Sequence, residues 1–273
     1  MRPPGRWLAT LGALAAVAVV AFPLYWALVA SLTPEAGLAA RPHLVPSTLV
    51  LDHYRSLFTQ HDFWRPLRNS LVVATTTTAL CLVLGTLAAY ALARLSFPGK
   101  SGILAAVLAA SVFPQISFVS PLYLMLRALG LVDTYPALIV PYATFSLPLT
   151  VWLLTTHFRA LPIELEEAAR VDGATRTRVL VSVVLPLSLP ALATAAILVF
   201  LYCWNEFLLA LSFTLGPERW TVPVAIALFR GQFVVPWGDI VAGALVATLP
   251  VAGLVVVAQR WIVRGLTAGA VKG

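Results

Sequence analysis

Between two long apolar stretches lies a polar, helix-forming insert that contains Glu167-Ala168-Ala169, Asp172-Gly173-Ala174 and, further on, Leu185-Pro186. Glu164, Glu166 and Glu167 crowd what reads as a helix N-terminus, where the backbone dipole favours negative charge. Pro162 suits the first turn, because its missing N–H has no partner there. Asp172-Gly173 reads as the stop, since glycine enters the left-handed region freely. A second helical stretch then runs from Ala174 to Val184. On the first helix Leu165, Ala168 and Ala169 share one face at i, i+3 and i+4. Small side chains let another protein approach closely, and the flanking Glu167 and Asp172 can pair with basic groups. The chemistry of this pattern is docking, a helix laid into a partner's groove. The alternative is a plain polar loop. Such an insert cannot lie in lipid, so its partner is met in water.

Catalytic patterns are missing from the sequence. It has no G-x-x-x-x-G-K-[ST] phosphate cradle and no H-E-x-x-H pair. It has no G-x-S-x-G elbow. His43, His53, His61 and His157 are scattered without metal-ligand spacing. Cys81 and Cys203 both fall in apolar runs and read as small buried hydrophobes. The expectation is no catalysis by this chain alone, no metal site and no bound cofactor. One acid, Glu206, falls well inside an apolar stretch beside Trp204 and Asn205. A carboxylate in lipid costs about 2.5–3.5 kcal/mol on insertion scales, so Glu206 must face protein or water. It reads either as a cavity or gate residue or as a structural hydrogen-bond partner.

The elements that position these residues follow from composition. The chain is 60% hydrophobic and only 11% charged over 273 residues, against about 25% charged in ordinary soluble chains. Apolar windows fall at about 8–32, 70–93, 102–124, 137–158, 188–212 and 238–258. Each is long enough to cross about 30 Å of hydrocarbon, and in lipid such windows are helices. The expected fold is all-α: a polytopic membrane bundle of six transmembrane helices in a single domain over 1–273. The stretch from Leu8 exceeds a signal-peptide core of about 7–15 residues and reads as a retained first span. The net charge of +7 does not point to nucleic acid, because the basic residues form no stripe or arm.

With the N-terminus inside, the inner segments carry Arg2, Arg6, Arg94, Lys100, Arg159, Arg170, Arg176, Arg178, Arg260, Arg264 and Lys272. The outer ones carry Arg41, Arg55, Arg65, Arg68, Arg127, Arg219 and Arg230. This bias puts both termini in the cytoplasm, with the insert at 159–187 and a tail at 259–273 on that side. The segment Thr33 to Asn69 lies outside, as an interfacial loop or a docking surface for an outside partner. Pro23, Pro114, Pro121, Pro141, Pro148 and Pro250 fall within spans, where kinks would favour a moving or cavity-lining bundle.

The insert resembles the E-A-A-x-x-x-G-x(9)-I-x-L-P loop of bacterial ABC importer permeases. Glu167-Ala168-Ala169, Gly173 and Val183-Val184-Leu185-Pro186 carry the match, with Val183 in the isoleucine position. Leu161-Pro162-Ile163-Glu164-Leu165-Glu166 and Asp172-Gly173-Ala174 look like the carbohydrate branch of that family. So do Asn69-Ser70, Phe97-Pro98-Gly99-Lys100, Trp204-Asn205-Glu206-Phe207 and the tail from Gly265 to Gly273. The likeness is to the shorter, six-span permease of maltose- and trehalose-type systems, especially of actinobacterial trehalose importers.

The resemblance implies an ABC type I importer fold in a bacterial plasma membrane. It implies a sibling permease, two ATPase subunits that hold ATP and Mg, and an extracytoplasmic sugar-binding protein. Glu166, Glu167, Ala168, Ala169, Asp172, Gly173 and Ala174 would form the coupling helix against one ATPase. Tyr202, Trp204, Asn205 and Glu206 would lie on the substrate pathway, and Gly269 and Lys272 would touch the ATPase pair. Trp152, Tyr202, Trp220 and Trp237 would stack on sugar rings or anchor the chain at the membrane interface. The loop from Phe213 to Trp237 would reach the binding protein. Two other readings stay open: an ABC permease for a non-sugar solute, and an independent secondary transporter. The second predicts inverted repeats and paired charges within spans, and the sequence shows neither. An intramembrane enzyme would need a nucleophile–base pair or a metal set.

Overall fold

A computed structural model describes residues 5–38, 44–46, 48–110, 113–229 and 235–270. All regular structure among them is helical, as lipid requires of a backbone that must satisfy its own polar groups. The order is α1 (Gly5–Ser31), α2 (Glu35–Leu38), α3 (Asp52–Thr59), α4 (Trp64–Arg94), α5 (Lys100–Ala110), α6 (Ile116–Ala128) and α7 (Pro136–Ala160). Then come α8 (Glu164–Val171), α9 (Arg176–Val179), a π-helical turn (Leu180–Val184), α10 (Leu185–Leu187) and α11 (Leu189–Asn205). The chain closes with α12 (Leu208–Phe213), α13 (Val222–Ala227) and α14 (Trp237–Ala270).

Among the described residues four helices are individually long and apolar enough to cross a membrane: α1 from Thr10, α4, α7, and α14 as far as Val257. The helical stretches Arg176–Leu187 and Leu189–Asn205 meet at a bend of 79°. The window at 102–124 is not one helix. It consists of α5 and α6, and Phe113 and Pro114 between them lie outside helical structure. Pro114 has no N–H for the helix ladder and disfavours a helical residue before it. The other five span prolines sit inside continuous helices. The window at 188–212 also breaks, with Glu206 extended between α11 and α12. Residues 259–270, expected as tail, continue α14.

The chain divides into two compact units. In the unit of residues 1–64 and 225–249, the Asp239 carboxylate accepts hydrogen bonds from His53 Nδ1 at 2.8 Å, Ser56 Oγ at 2.8 Å and His61 Nε2 at 3.1 Å. His53 Nε2 lies 3.0 Å from the Thr33 carbonyl. Glu35 caps α14 by accepting from the amides of Trp237 and Gly238, both at 3.0 Å. Gly238 must be glycine, because a Cβ there would overlap the His53 ring. Two of the scattered histidines are therefore structural.

The unit of residues 65–224 and 250–273 is built around α7, the most buried span, which packs against α5 and α11. Helix α4 also meets α7 closely, at Gly85. A Cβ there would lie 2.6 Å from Thr150 Cγ2, and a small residue at such a contact is how membrane helices approach. Ala89, Leu154, Phe158, Val179, Leu180, Val184 and Ala195 form a buried apolar cluster where α4, α7, α9, the π turn and α11 meet.

Candidate functional site

The polar insert folds as a helix, a sharp turn and a second helix. Helix α8 begins at Glu164, so Pro162 precedes it rather than occupying its first turn. Glu164, Glu166 and Glu167 do form the first turn. Gly173 has φ +82°. The Gly173 amide donates to the Arg170 carbonyl and the Ala174 amide to the Ala169 carbonyl, both at 3.0 Å. This pair of bonds is a Schellman stop, which needs the left-handed residue that only glycine supplies without strain. Thr175 then caps α9 by accepting from the Arg178 amide. The second helix is not one regular stretch to Val184. It widens into the π turn at Leu180, just before Pro186, which cannot donate to the Ser182 carbonyl.

The seven insert residues do not all face one way. Glu167, Ala168, Asp172 and Gly173 are exposed. Exposed Leu165 and Val171, the latter 88% exposed, add apolar surface beside them. Glu167, Arg170, Val171, Gly173, Ala174 and Thr175 line an open hollow at the turn. Ala169 and Ala174 instead pack against the buried cluster. Glu166 turns inward and is only 7% exposed. Its carboxylate accepts from Arg94 Nε at 2.5 Å and from Tyr90 Oη at 3.1 Å. Arg94 Nη2 also donates to the Leu161 carbonyl at 2.9 Å. Sequence reasoning missed Arg94 and Tyr90, because more than 70 residues separate them from Glu166. The available signal was an arginine at the very end of a span.

Glu206 caps a helix. Its two oxygens accept from the amides of Leu209 at 2.8 Å and Ala210 at 3.0 Å. These amides open α12 and have no partner inside it, and a carboxylate there also meets the favourable end of the dipole. Trp204 is buried and stacks on Phe200, with ring centroids 5.6 Å apart. Asn205 is exposed and donates to the Leu201 carbonyl at 2.8 Å. Half-buried Tyr202 accepts a hydrogen bond from Gln115, which joins the last turn of α11 to the break between α5 and α6. Trp152 and Trp237 are exposed, and Trp220 is half-buried. Gly269 lies near the end of α14, and Lys272 lies outside the described residues.

Asn69-Ser70 clasps the loop that precedes α13. Buried Asn69 donates to the carbonyls of Glu218 at 3.0 Å and Trp220 at 2.9 Å, and accepts from Tyr135 Oη at 2.8 Å. Ser70 Oγ accepts from the Val222 amide at 2.8 Å. Among the described residues no three His, Cys, Asp or Glu side chains are disposed to hold a metal.

A multi-pass helical bundle with two interrupted spans and one projecting helical turn has the features of a membrane transport component. The chain belongs to the family of binding-protein-dependent transport system inner membrane components, which it matches over residues 81–268. It is 48% identical to the trehalose transport system permease protein SugB of Mycobacterium tuberculosis over 92% of each chain. It is 40% identical to the trehalose/maltose transport system permease protein MalG of Thermococcus litoralis, over 98% of this chain and 97% of that one. It is 43% identical to the sulfoquinovosyl glycerol transport system permease protein SmoH of Agrobacterium fabrum, over 92% and 89%. The fold matches the crystal structure of a bacterial ABC transporter involved in the import of the polysaccharide alginate. The TM-score is 0.80 at 20% identity, covering 96% of this chain and 99% of that one. The chain is thus a transporter subunit and not an enzyme, a multi-pass membrane component of a binding-protein-dependent system.

Proposed function

We propose that this chain is one of two permease subunits through which an ATP-driven importer passes a di- or oligosaccharide of the trehalose or maltose type. The observation that carries the sugar reading is the 48% identity to a trehalose permease across 92% of both chains. A second reading, a different glycoside, is supported by the 43% identity to a sulfoquinovosyl glycerol permease. The sibling permease completes the pathway, and two ATPase subunits bind ATP and Mg, for which this chain has no phosphate cradle. An extracytoplasmic binding protein delivers the sugar. Both termini and the insert lie in the cytoplasm, in keeping with the Lys and Arg bias.

In this reading the exposed face of α8 docks on one ATPase. Val171 and Leu165 supply apolar contact, Ala168 permits close approach, and Glu167 and Asp172 pair with basic groups. The Gly173 turn keeps this face projecting, with Ala169 and Ala174 as its footing. Closure of the ATPase dimer on ATP carries α8 with it and switches the bundle between inward- and outward-facing states. ATP drives the switch because it binds those two states unequally. The two interrupted spans border the sugar path, since irregular backbone at membrane depth is tolerated only against protein or a water-filled cavity. Gly269 and Lys272 contribute a further ATPase contact.

The test is to reconstitute the chain in nanodiscs with its sibling permease, ATPase and binding protein, and to measure ATP hydrolysis with trehalose, maltose or sulfoquinovosyl glycerol. Stimulation by trehalose- or maltose-loaded binding protein is expected. Stimulation by sulfoquinovosyl glycerol alone selects the second reading. Failure to assemble with any ATPase overturns both.

A further inference from the structure

Glu166 lies in the same turn as Glu167, yet it points away from the docking face and into the protein. The two side chains of the Arg94–Glu166 pair are only 10% and 9% exposed. A buried carboxylate is tolerated when its oxygens are all engaged, and both are, by Arg94 and Tyr90. The same guanidinium holds the Leu161 carbonyl, just beyond the end of α7. One planar cation therefore ties three pieces together: the C-terminal end of α4, the chain leaving α7, and the first turn of α8.

We propose that Arg94 is a positioning residue for coupling. Its fork locks α8 to the end of α4, so that movement of the docking helix reaches that span. The inference rests on the docking role given to α8 above. Without the lock, α8 would be joined to the bundle by the chain on either side and by the packing of Ala169 and Ala174. Apolar packing is non-directional and lets a helix roll or slide. Two directed, charge-assisted hydrogen bonds from a rigid guanidinium fix rotation as well as distance. Lysine cannot replace this, because a single ammonium lacks the planar fork. The lock lies on the inner side of α8, so it can persist while the outer face engages a partner.

The test uses the full reconstituted importer and reads sugar transported per ATP hydrolysed. Arg94→Ala is expected to lower that ratio at least tenfold, Arg94→Lys to lower it less, and Tyr90→Phe by about twofold. The charge-reversed pair R94E/E166R restores the link between α4 and α8 but not the bond to the Leu161 carbonyl, and is expected to recover part of the lost coupling. A purely structural role would lower the amount of assembled complex and leave the ratio unchanged, and that result overturns the proposal. Absence of rescue by the reversed pair also overturns it. If Arg94→Ala fails to assemble, Tyr90→Phe and Arg94→Lys decide, because each keeps a cation beside the buried Glu166 carboxylate. Gly173→Pro in the same assay separates the two levels. If it uncouples and the Arg94 variants do not, only the lock is wrong. If neither changes the ratio, the docking role of α8 falls as well.

Discussion

Gly173 offers a graded test of the docking role proposed for this turn. Its φ is +82°, and a Cβ placed there would meet nothing within 4 Å. Any penalty for substitution is therefore backbone strain and not a clash. For an L-residue that strain is about 1–2 kcal/mol. Against it stand the two bonds that the turn makes, Gly173 to Arg170 and Ala174 to Ala169, worth about 0.5–1.5 kcal/mol each. The terms are comparable, so Gly173→Ala and Gly173→Val leave the turn partly populated. Asparagine tolerates the left-handed region and should be nearly silent. Proline fails on both counts: its ring holds φ near about −65°, and it has no N–H for the Arg170 carbonyl. Losing about 3 kcal/mol corresponds to more than a hundredfold depletion of the native turn. In the reconstituted importer, sugar uptake per ATP should fall in the order Asn, Ala, Val, Pro, with membrane insertion intact throughout. Equal coupling in the asparagine and proline variants would refute the reasoning.

Two further outcomes follow from the spans. Glu206→Ala removes the cap of α12 and should lower stability by about 1–2 kcal/mol, while Glu206→Gln, which keeps one acceptor, should cost less; thermal melting of the purified protein checks this, and equal melting of all three forms would refute the capping role. Gly85→Ala drives a methyl into Thr150 at a cost of about 1–3 kcal/mol. The double variant Gly85→Ala/Thr150→Ser, which removes the obstructing Cγ2, should melt close to the parent, and absence of recovery would mean that α4 and α7 do not meet there.

Much of this protein was legible before any coordinates. Apolar windows of spanning length can only be helices in lipid, so the all-helical, multi-pass character followed from composition. The turn at Asp172-Gly173 was legible because its cause is local: a run of helix formers, then the one residue that enters φ > 0 without strain. The breaks were less so. Six span prolines look alike in sequence, yet only Pro114 stands at an interruption, because neighbouring elements decide whether a freed carbonyl can be satisfied. Glu206 was visible as an expensive carboxylate, but its partners, the amides of Leu209 and Ala210, exist only once the helix ends at Asn205.

The division of labour within Glu166-Glu167-Ala168-Ala169 lay furthest from the sequence. Adjacent helical residues point about 100° apart, so they cannot share a face, but helical periodicity does not say which of them turns inward. Docking of α8 against the end of α4 and the apolar cluster made that choice. It sent Glu166 to Arg94 and Tyr90, Ala169 to the core, and Glu167 and Ala168 to the surface. The sequence by itself determined the helices, the turn and the family, because these depend on propensity, hydropathy and motif spacing. Only the tertiary structure decided which acids face outward and which turn into the bundle, because that depends on what packs against each face.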